Sequence, residues 1–514
     1  MSKFKHANRD QPFLLPPDMR EWLPEDDLAH FVIEACERVD ISAFKVNHRG
    51  TGSEQYHPRM MLALLVYCYA NGFFSSRRIE RATYRDIGVR FVAANTHPDH
   101  DTICAFRRRN EAAFAEAFLQ VLLLAQELKL LNVGVVSVDG TKIDANASKH
   151  KSLRYDRAGE LREQLQGDIE ELMARAEAAD AQGEDPQKPP EEIARREKLK
   201  TKMDAACERL EKRARARADA QQAEYERKLQ ARDERGGKGR KPKPPDEAPR
   251  PDEQTNLTDP DSRLMRKNKR SEYRQAYNAQ ASVDADGSQL ILAADVSQSA
   301  SDANELAGMV AAIPDALGAV ETVLADTGYA NEEQVAAVQA MGIEALVAVG
   351  GGGHERQYDF RPKKENKKEK KPPPEVKAEW RLAMREELAK PENKAKYARR
   401  KHTVEPVFGI IKAAMGFRRF LLRGLAGVKL EWLLVALAYN VKRLWNLIKG
   451  GSMSDLGRKL SPFCAGRRLH REPQALIGRF SPLWAKITGP SARAAVSLTN
   501  LNPRAINIPS PTGC

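Results

Sequence analysis

The stretch "LNVGVVSVDGTKIDANAS" (residues 131–148) decides the fold, because it joins a buried-strand pattern to an acidic residue. Its β-branched apolar run leads to Asp139 and Gly140, which predicts a buried strand followed by a turn. Asp326 follows the apolar run "TVLA" (322–325) in the same way. In α/β sheets the carboxyl ends of the strands usually carry the chemistry. If the two strands are neighbours, we expect Asp139 and Asp326 to converge.

The segments after residue 270 predict the rest of the sheet. Two alternating runs flank Asp286 and Gly287, which is a strong signal for a β-hairpin. A helix ("SDANELAGMVAAI"), the strand before Asp326, a second helix ("NEEQVAAVQAMG") and a third apolar run ("EALVAVGGG") follow. With the insertions removed, the order is strand, strand, strand, helix, strand, helix, strand, helix. We therefore expect an α/β fold with a mixed sheet and helices on its faces, the ribonuclease-H-like arrangement.

Residues 1–130 are predicted to form a separate, all-helical domain. The segment "PRMMLALLVYCYA" (58–70) is apolar nearly all round, as a central core helix is, and shorter amphipathic helices follow it. One of them, from Asp101 to Asn110, ends in Arg107, Arg108 and Arg109 and resembles a helix-turn-helix reader of DNA. A solvated basic helix end, favoured by the helix dipole, explains the same arginines equally well.

Two further parts of the chain differ in composition. Residues 151–270 are highly charged, and their apolar residues recur at intervals of three and four. This pattern predicts two antiparallel, coiled-coil-like helices followed by a Pro- and Gly-rich linker. Residues 451–514 read as an irregular basic tail. The predicted catalytic domain therefore comprises residues 131–150 and 271–450, and residues 151–270 are an insertion into it.

The charge balance indicates the kind of partner. Lys and Arg number 84 against 71 Asp and Glu, so the 514-residue chain carries a net charge of +13. An excess of this size in a large protein suggests a polyanion, most often nucleic acid. Six scattered cysteines without a CxxC pair argue against a disulfide framework and a zinc site. No signal peptide and no apolar stretch of ~18 residues is found, so we expect a cytoplasmic, nucleoid-associated protein with no membrane partner.

A third acidic residue lies in "HTVEPVFGIIK" (402–412). At helical spacing, the apolar residues of this segment share one side, and Glu405 and Lys412 fall on another. A glutamate followed by a proline also suits the first turn of any helix, where the dipole favours the acid and the proline costs no hydrogen bond. Glu405 therefore has both a structural interpretation and a functional one.

The functional interpretation joins Asp139, Asp326 and Glu405 in one site. Clustered carboxylates raise each other's pKa unless a cation compensates their charge. Hard oxygen ligands without nearby Cys or His favour Mg²⁺ or Mn²⁺ over zinc. Two such ions ~3.5–4 Å apart would activate the attacking oxygen and stabilise the leaving oxygen of a phosphodiester. For Asp139 or Asp326 taken alone, an aspartate in the turn after a strand remains the alternative.

Five motifs give the chain its resemblance to a known family, and they are "VVSVDGTKIDANAS" (135–148), "NLTDPDSRLM" (256–265), "YNAQASVD" (277–284), "VLADTGYAN" (323–331) and "YARRKHTVEPVFGIIKAAMGFRRFLLRGL" (397–425). Together they resemble the bacterial insertion-sequence transposases of the DDE class, in the branch with an InsH-like helical N-terminal domain. The resemblance runs from about residue 15 to 447. It implies that Asp139, Asp326 and Glu405 are the catalytic residues and metal ligands.

The last motif also implies contacts with DNA. In the family it commonly reads Tyr, two residues, Arg, three residues, Glu, six residues, Lys. Glu405 and Lys412 keep that spacing, whereas Tyr397 and Arg400 lie one residue too far upstream and Lys401 occupies the position of the Arg. We expect Lys412, Tyr397 and Arg400 to bind DNA, in addition to the three arginines at 107–109.

The resulting hypothesis is an enzyme that cleaves insertion-sequence ends and joins them to target DNA, using two Mg²⁺ or Mn²⁺ ions and assembling as a homo-oligomer on double-stranded DNA. Two alternatives stay open on the sequence. One is an endonuclease of the same fold without strand transfer. The other is a DNA-binding protein whose catalysis has decayed.

Overall fold

The computed structural model describes residues 18–46, 54–181, 189–234, 241–266, 270–350 and 378–450. The predicted tail at 451–514 and the lysine-rich segment Lys363–Lys371 lie outside these residues. Everything described belongs to one compact unit, Met1–Gly451.

The N-terminal region is helical, as predicted. Its helices are α1 (Leu28–Arg38), α2 (Pro58–Ala70), α3 (Ser76–Arg85), α4 (Ile87–Val92), α5 (His100–Arg109) and α6 (Glu111–Glu127). Helix α2 is buried along nearly its whole length, which agrees with its apolar sequence. The Asp99 side chain caps α5 by accepting the N–H of Thr102 at 2.6 Å, which fixes where that helix begins.

Eight strands follow in the described residues: β1 (Val135–Asp144), β2 (Ser152–Arg154), β3 (Gln254–Asn256), β4 (Arg263–Met265), β5 (Arg274–Asp284), β6 (Ile291–Ser297), β7 (Thr322–Ala325) and β8 (Glu344–Val347). Strands β6, β5, β1, β7 and β8 lie side by side in that order, and β4 pairs with the start of β5. The β6–β5–β1 pairs are antiparallel, whereas β1–β7 and β7–β8 are parallel. The sheet is therefore mixed, as expected.

The prediction that β1 ends at Asp139 is wrong. The strand continues to Asp144, because the long neighbour β5 pairs with it throughout, up to the pair Asp144 and Ala276. Only on the β7 side does the pairing stop earlier, at Ser137 and Leu324. A backbone that has an antiparallel partner on one side stays extended even where its parallel partner ends.

The insertion consists mainly of two long helices, α7 (Tyr155–Ala181) and α8 (Pro189–Glu234). They are antiparallel, since Arg196 of α8 pairs with Asp168 of α7, while Glu211 further along α8 accepts the hydroxyl of Tyr155 at the start of α7. A two-stranded sheet of β2 and β3 closes the base of this pair.

The remaining helices are α9 (Leu306–Ala311), α10 (Glu332–Ala340), α11 (Glu379–Ala389), α12 (Pro391–Ala398), α13 (Val404–Gly409) and α14 (Leu425–Gly450). Helix α14 contacts β6 and also α2 and α6, so it lies between the sheet and the N-terminal helices. Its fully buried Trp432 donates its indole N–H to the carbonyl of Gln280 at 2.8 Å. In the described part of the chain, no helix combines the length and the apolar character needed to cross a membrane.

Candidate active site

Asp139 and Asp326 lie at the end of the parallel pair β1–β7. Ser137 is level with Leu324 across this pair, and each aspartate comes two residues later. The carboxylate of Asp326 accepts the N–H of Gly328 at 2.8 Å and so begins a short 3₁₀ turn. Asp139 stays within β1 and accepts the N–H of Gly140 at 2.8 Å. The register of the sheet thus brings the two carboxylates together, as the sequence predicted.

Glu405 reaches the same place from helix α13. The apolar side chains of α13 pack inward, and Val404 and Val407 are fully buried. The carboxylate of Glu405 lies on the exposed side, with 58% of its side chain accessible. A 3₁₀ turn, Arg399–His402, precedes the helix and carries Arg400.

The guanidinium of Arg400 lies between the three carboxylates. Its Nη2 is 2.9 Å from Oδ2 of Asp139 and 3.6 Å from Oδ2 of Asp326, and its Nη1 is 3.6 Å from Oε1 of Glu405. Only 11% of the Arg400 side chain is exposed. Its Nε is buried and has no hydrogen-bond partner within the described structure. One cation therefore compensates all three acids, which is the compensation that clustered carboxylates require.

The electrostatics of the site centre on Asp139. Burial raises the pKa of this carboxyl to about 6, and the charge of Arg400 opposes that rise. The negative charges of Asp326 and Asp302 raise the pKa further. Asp139 thus ionises at a higher pH than an ordinary aspartate, and a cation that binds it must displace its proton in mildly acidic solution.

The displaced Tyr and Arg of the last motif occupy defined positions. The 3₁₀ turn takes up the extra residue before Glu405, and Arg400 still reaches the acids. Tyr397 packs against an apolar cluster that includes Leu324, and its hydroxyl donates to the carbonyl of Ala325 at 3.1 Å. In this structure both side chains bind within the protein, Arg400 to the acids and Tyr397 to the backbone, and their contact with DNA stays a prediction.

Lys412 also binds within the protein. Its Nζ donates to the hydroxyl of Thr141 and, at 3.2 Å, to the carbonyl of Lys142. These bonds tie the π-helical turn Ile410–Ala414 to strand β1 two residues beyond Asp139. In this structure Lys412 holds strand β1, and its predicted contact with a DNA phosphate stays a prediction.

The basic end of helix α5 divides into one buried and two exposed arginines. Arg107 is 3% exposed, and its Nη1 donates to the hydroxyl of Tyr69 at 2.8 Å and the carbonyl of Phe74 at 3.3 Å. The predicted contact between Arg107 and DNA is therefore wrong, because the guanidinium belongs to the core. Arg108 and Arg109 are exposed at the end of the helix, where they remain available to an anion.

Helix α3 carries a basic surface that the sequence analysis missed. Its exposed arginines, which we call the α3 arginines, are Arg77, Arg78, Arg81 and Arg85. Tyr84 is 59% exposed beside them, and its ring stacks on His97 at 3.8 Å. The opposite side of α3 is buried at Ile79 and Ala82. The sequence "RRIERATYR" (77–85) already contains this division into two faces. Its apolar residues Ile79 and Ala82 are three apart and so share one side of a helix, and the arginines fall on the other side.

Comparison with protein families identifies both regions. Residues 245–441 match the model of the transposase DDE domain, and residues 17–109 match a transposase domain (DUF772). The chain belongs to the insertion-sequence DDE transposases. The DDE match includes Asp326 and Glu405 and begins after Asp139; the sheet register places Asp139 beside Asp326, and the shared ion pairs with Arg400 link it to Glu405. Comparisons with curated proteins and with solved structures found no match.

The carboxylates of this transposase are spaced around a guanidinium. Across the described residues, no three Asp, Glu, His or Cys side chains are grouped closely enough to hold a metal ion. The donor set itself suits a hard divalent cation, because it consists of carboxylate oxygens without sulfur or imidazole. A cation bound by all three acids would take the place of the Arg400 guanidinium.

Proposed function

We propose that this transposase cleaves DNA at the ends of an insertion sequence and joins those ends to target DNA. The observation that carries the proposal is the convergence of three carboxylates from β1, the end of β7 and α13 on one cation, the Arg400 guanidinium. Acids from three distant segments repel one another, so they come together only where other interactions of the fold offset that repulsion. Such clusters are usually functional sites.

In this proposal Asp139, Asp326 and Glu405 hold one or two Mg²⁺ or Mn²⁺ ions. The ions would supply positive charge to the attacking and leaving oxygens of a phosphodiester. The chain's own residues prepare the site: Tyr397 fixes the backbone just before Asp326, and Lys412 fixes the strand just after Asp139. If the acids bound such ions, Arg400 would lose these partners and would be available to bind a DNA phosphate next to the site.

The DNA would be held by three exposed basic surfaces. These are the α3 arginines, Arg108 and Arg109 at the end of α5, and the loop containing Arg418, Arg419 and Arg423. The loop pairs with the end of β1, since the N–H of Phe420 donates to the carbonyl of Asp144 at 2.8 Å. Contacts to phosphates carry little sequence information, so we assign recognition of the ends to the N-terminal helices.

We also propose a fold class and domain bounds for this chain. The order β6–β5–β1–β7–β8, with three antiparallel strands followed by two parallel ones, supports a ribonuclease-H-like catalytic domain. We propose residues 131–150 and 271–450 as that domain, 1–130 as the DNA-binding domain and 151–270 as an insertion. We also propose that the protein acts as a homo-oligomer on DNA, because an element has two ends to be joined.

The test compares Asp139→Asn, Asp326→Asn and Glu405→Gln with the matched control Asp295→Asn, whose carboxylate forms an exposed ion pair with Lys429. Cleavage of element-end DNA in Mg²⁺ should be lost in the first three variants and kept in the control, while DNA binding is retained in all four. Joining of pre-cut ends is measured separately. Cleavage without joining by the unaltered protein would identify an endonuclease, and normal cleavage by any of the three variants would remove that residue from the site.

A further inference from the structure

A fourth carboxylate, Asp302, lies beside the site in the loop between β6 and α9. A β-carbon built on Gly328 would lie 2.9 Å from Oδ1 of Asp326 and 3.6 Å from Oδ2 of Asp302, so both carboxylates approach the same glycine. A β-carbon on Gly140, the residue after Asp139, would lie 2.6 Å from Oδ1 of Asp302. Asp302 therefore faces both the β1 end and the β7 end of the site.

The carboxylate of Asp302 is oriented mainly by neutral donors. Its Oδ1 accepts the amide N–H groups of Asn278 at 2.6 Å and Gln280 at 2.8 Å. Gln280 is held in turn by the hydroxyl of Tyr329. Amide donors fix the direction of a carboxylate without cancelling its charge. The amides thus leave the charge of Asp302 to the ammonium of Lys142, its cationic partner, and the negative charge disfavours the ionised form of Asp139.

Two further features indicate that Asp302 and its amide neighbours are arranged to bind a cation. Asn278 is fully buried, and its Oδ1 has no hydrogen-bond partner within the described residues. This oxygen faces Gly140, the residue after Asp139, since it would lie 3.0 Å from a β-carbon built there. An unpaired buried carbonyl oxygen is costly unless a donor or cation comes to it. The Oδ2 of Asp302 pairs with the ammonium of Lys142 at 3.4 Å, and the Lys142 side chain is 20% exposed.

We propose that Asp302 is a fourth acidic residue of the divalent-cation site, whose Oδ2 would stabilise, from just outside the metal ligands, a Mg²⁺ or Mn²⁺ ion held by Asp139 and Asp326. Lys142 neutralises Asp302 until the ion arrives. Asn278 and Gln280 are positioning residues, which orient the carboxylate through its other oxygen. This inference rests on the proposed function and adds a residue to the site that the three-acid pattern does not include.

The experiment titrates the full chain with Mn²⁺ alone and follows the free ion by electron paramagnetic resonance. Asp302→Asn keeps an acceptor oxygen for Asn278 and Gln280 but removes the charge, so the fold should be retained. We expect Mn²⁺ affinity to fall 10- to 100-fold, the range found when partners just outside the metal ligands are changed. Asp295→Asn, an exposed aspartate paired with Lys429, is the matched control and should leave the affinity unchanged.

A second variant covers the case in which Asp302→Asn does not fold. Lys142→Met removes the cation that competes for Asp302, so Mn²⁺ should bind more tightly than to the unaltered protein. Unchanged Mn²⁺ affinity in Asp302→Asn, or in Lys142→Met if the first variant is unfolded, overturns the inference and leaves Asp302 a structural residue. Failure of the unaltered chain to bind Mn²⁺ at all would instead overturn the proposed function, so the two failures are distinguishable.

Discussion

Glu431 offers the sharpest quantitative prediction, because helix α14 buries its carboxylate completely. Its Oε2 accepts the N–H groups of Leu421 and Leu422, both at 2.9 Å. Its Oε1 is buried and has no hydrogen-bond partner in the described part of the protein. Burial raises the pKa of Glu431 from 4.5 to about 7, against the two N–H groups and the charge of Arg107, which lower it.

The perturbation is Glu431→Gln, and its effect depends on pH. Because the folded protein holds this proton more tightly than the unfolded chain, the group's contribution to stability is fully present below pH 4.5 and is lost as the pH rises through about 7. Each unit of pKa difference corresponds to ~1.4 kcal/mol, so ionised Glu431 costs the folded state roughly 3 kcal/mol at high pH. Glutamine has no charge to bury and escapes this cost.

The assay is urea unfolding at several pH values, monitored by tryptophan fluorescence. Trp432, the residue after Glu431, is fully buried, so its emission reports unfolding near the site of the change. Between pH 5 and pH 8 the free energy of unfolding of Glu431→Gln should rise relative to the unaltered protein by about 2–3 kcal/mol. Any constant cost of the new amide cancels in this comparison. Glu333→Gln, an exposed glutamate of α10, should show no such trend. A difference for Glu431→Gln that stays constant across this range would show that the carboxylate is not protonated by burial and would refute the reasoning.

Three further results are expected. Mn²⁺ affinity should fall about tenfold from pH 7 to pH 5, because Asp139, with a pKa of about 6, must lose its proton to bind the ion. Arg400→Ala should move that fall to higher pH, because the charge of Arg400 lowers the pKa of Asp139. An Mn²⁺ affinity that does not change with pH excludes Asp139 as a ligand. Replacing the four α3 arginines by alanine should reduce the salt dependence of DNA binding, log K against log salt, by roughly 3–4 units, whereas an unchanged slope places the DNA elsewhere. Gly140→Ala should abolish cleavage, because the new β-carbon would lie 2.3 Å from Nε2 of Gln280. The control is Gly159→Ala, which has open space around it and should stabilise helix α7 by about 1 kcal/mol while leaving cleavage intact.

The sequence predicted those parts of the site that depend on strand patterns. Asp139 and Asp326 could be placed together because each follows an apolar run, and the side-chain period of two leaves little freedom once β1 and β7 pair. The position of Glu405 followed from the family motif combined with its helical period. Each of these signals belongs to one strand or one helix, whereas the pairing of β1 with β7 was a condition that the sequence left open.

The remaining features depend on contacts between distant segments. The sequence of α5 cannot show that Arg107 is buried, because its burial depends on Tyr69 and Phe74 from α2 and the loop after it. In the same way, the length of β1 was decided by β5, which lies more than a hundred residues later. Asp302 could not be singled out for the same reason. Its proposed role depends on the amide groups of Asn278 and Gln280 on β5, which no spacing within its own loop reveals.

The insertion is fastened to the active-site region at its return point. Asp259, in the motif "NLTDPDSRLM", is fully buried and accepts the hydroxyl of Tyr277 at 2.9 Å and the N–H of Gly424 at 3.1 Å. Asp261 accepts the N–H of Leu425 at 3.0 Å, where an acid favours the start of helix α14. The same short segment therefore ends the insertion, supports β5 and fixes the end of the basic loop that contains Arg423. These bonds therefore tie the segment that ends the insertion to strand β5 on one side and to the basic loop beside β1 on the other.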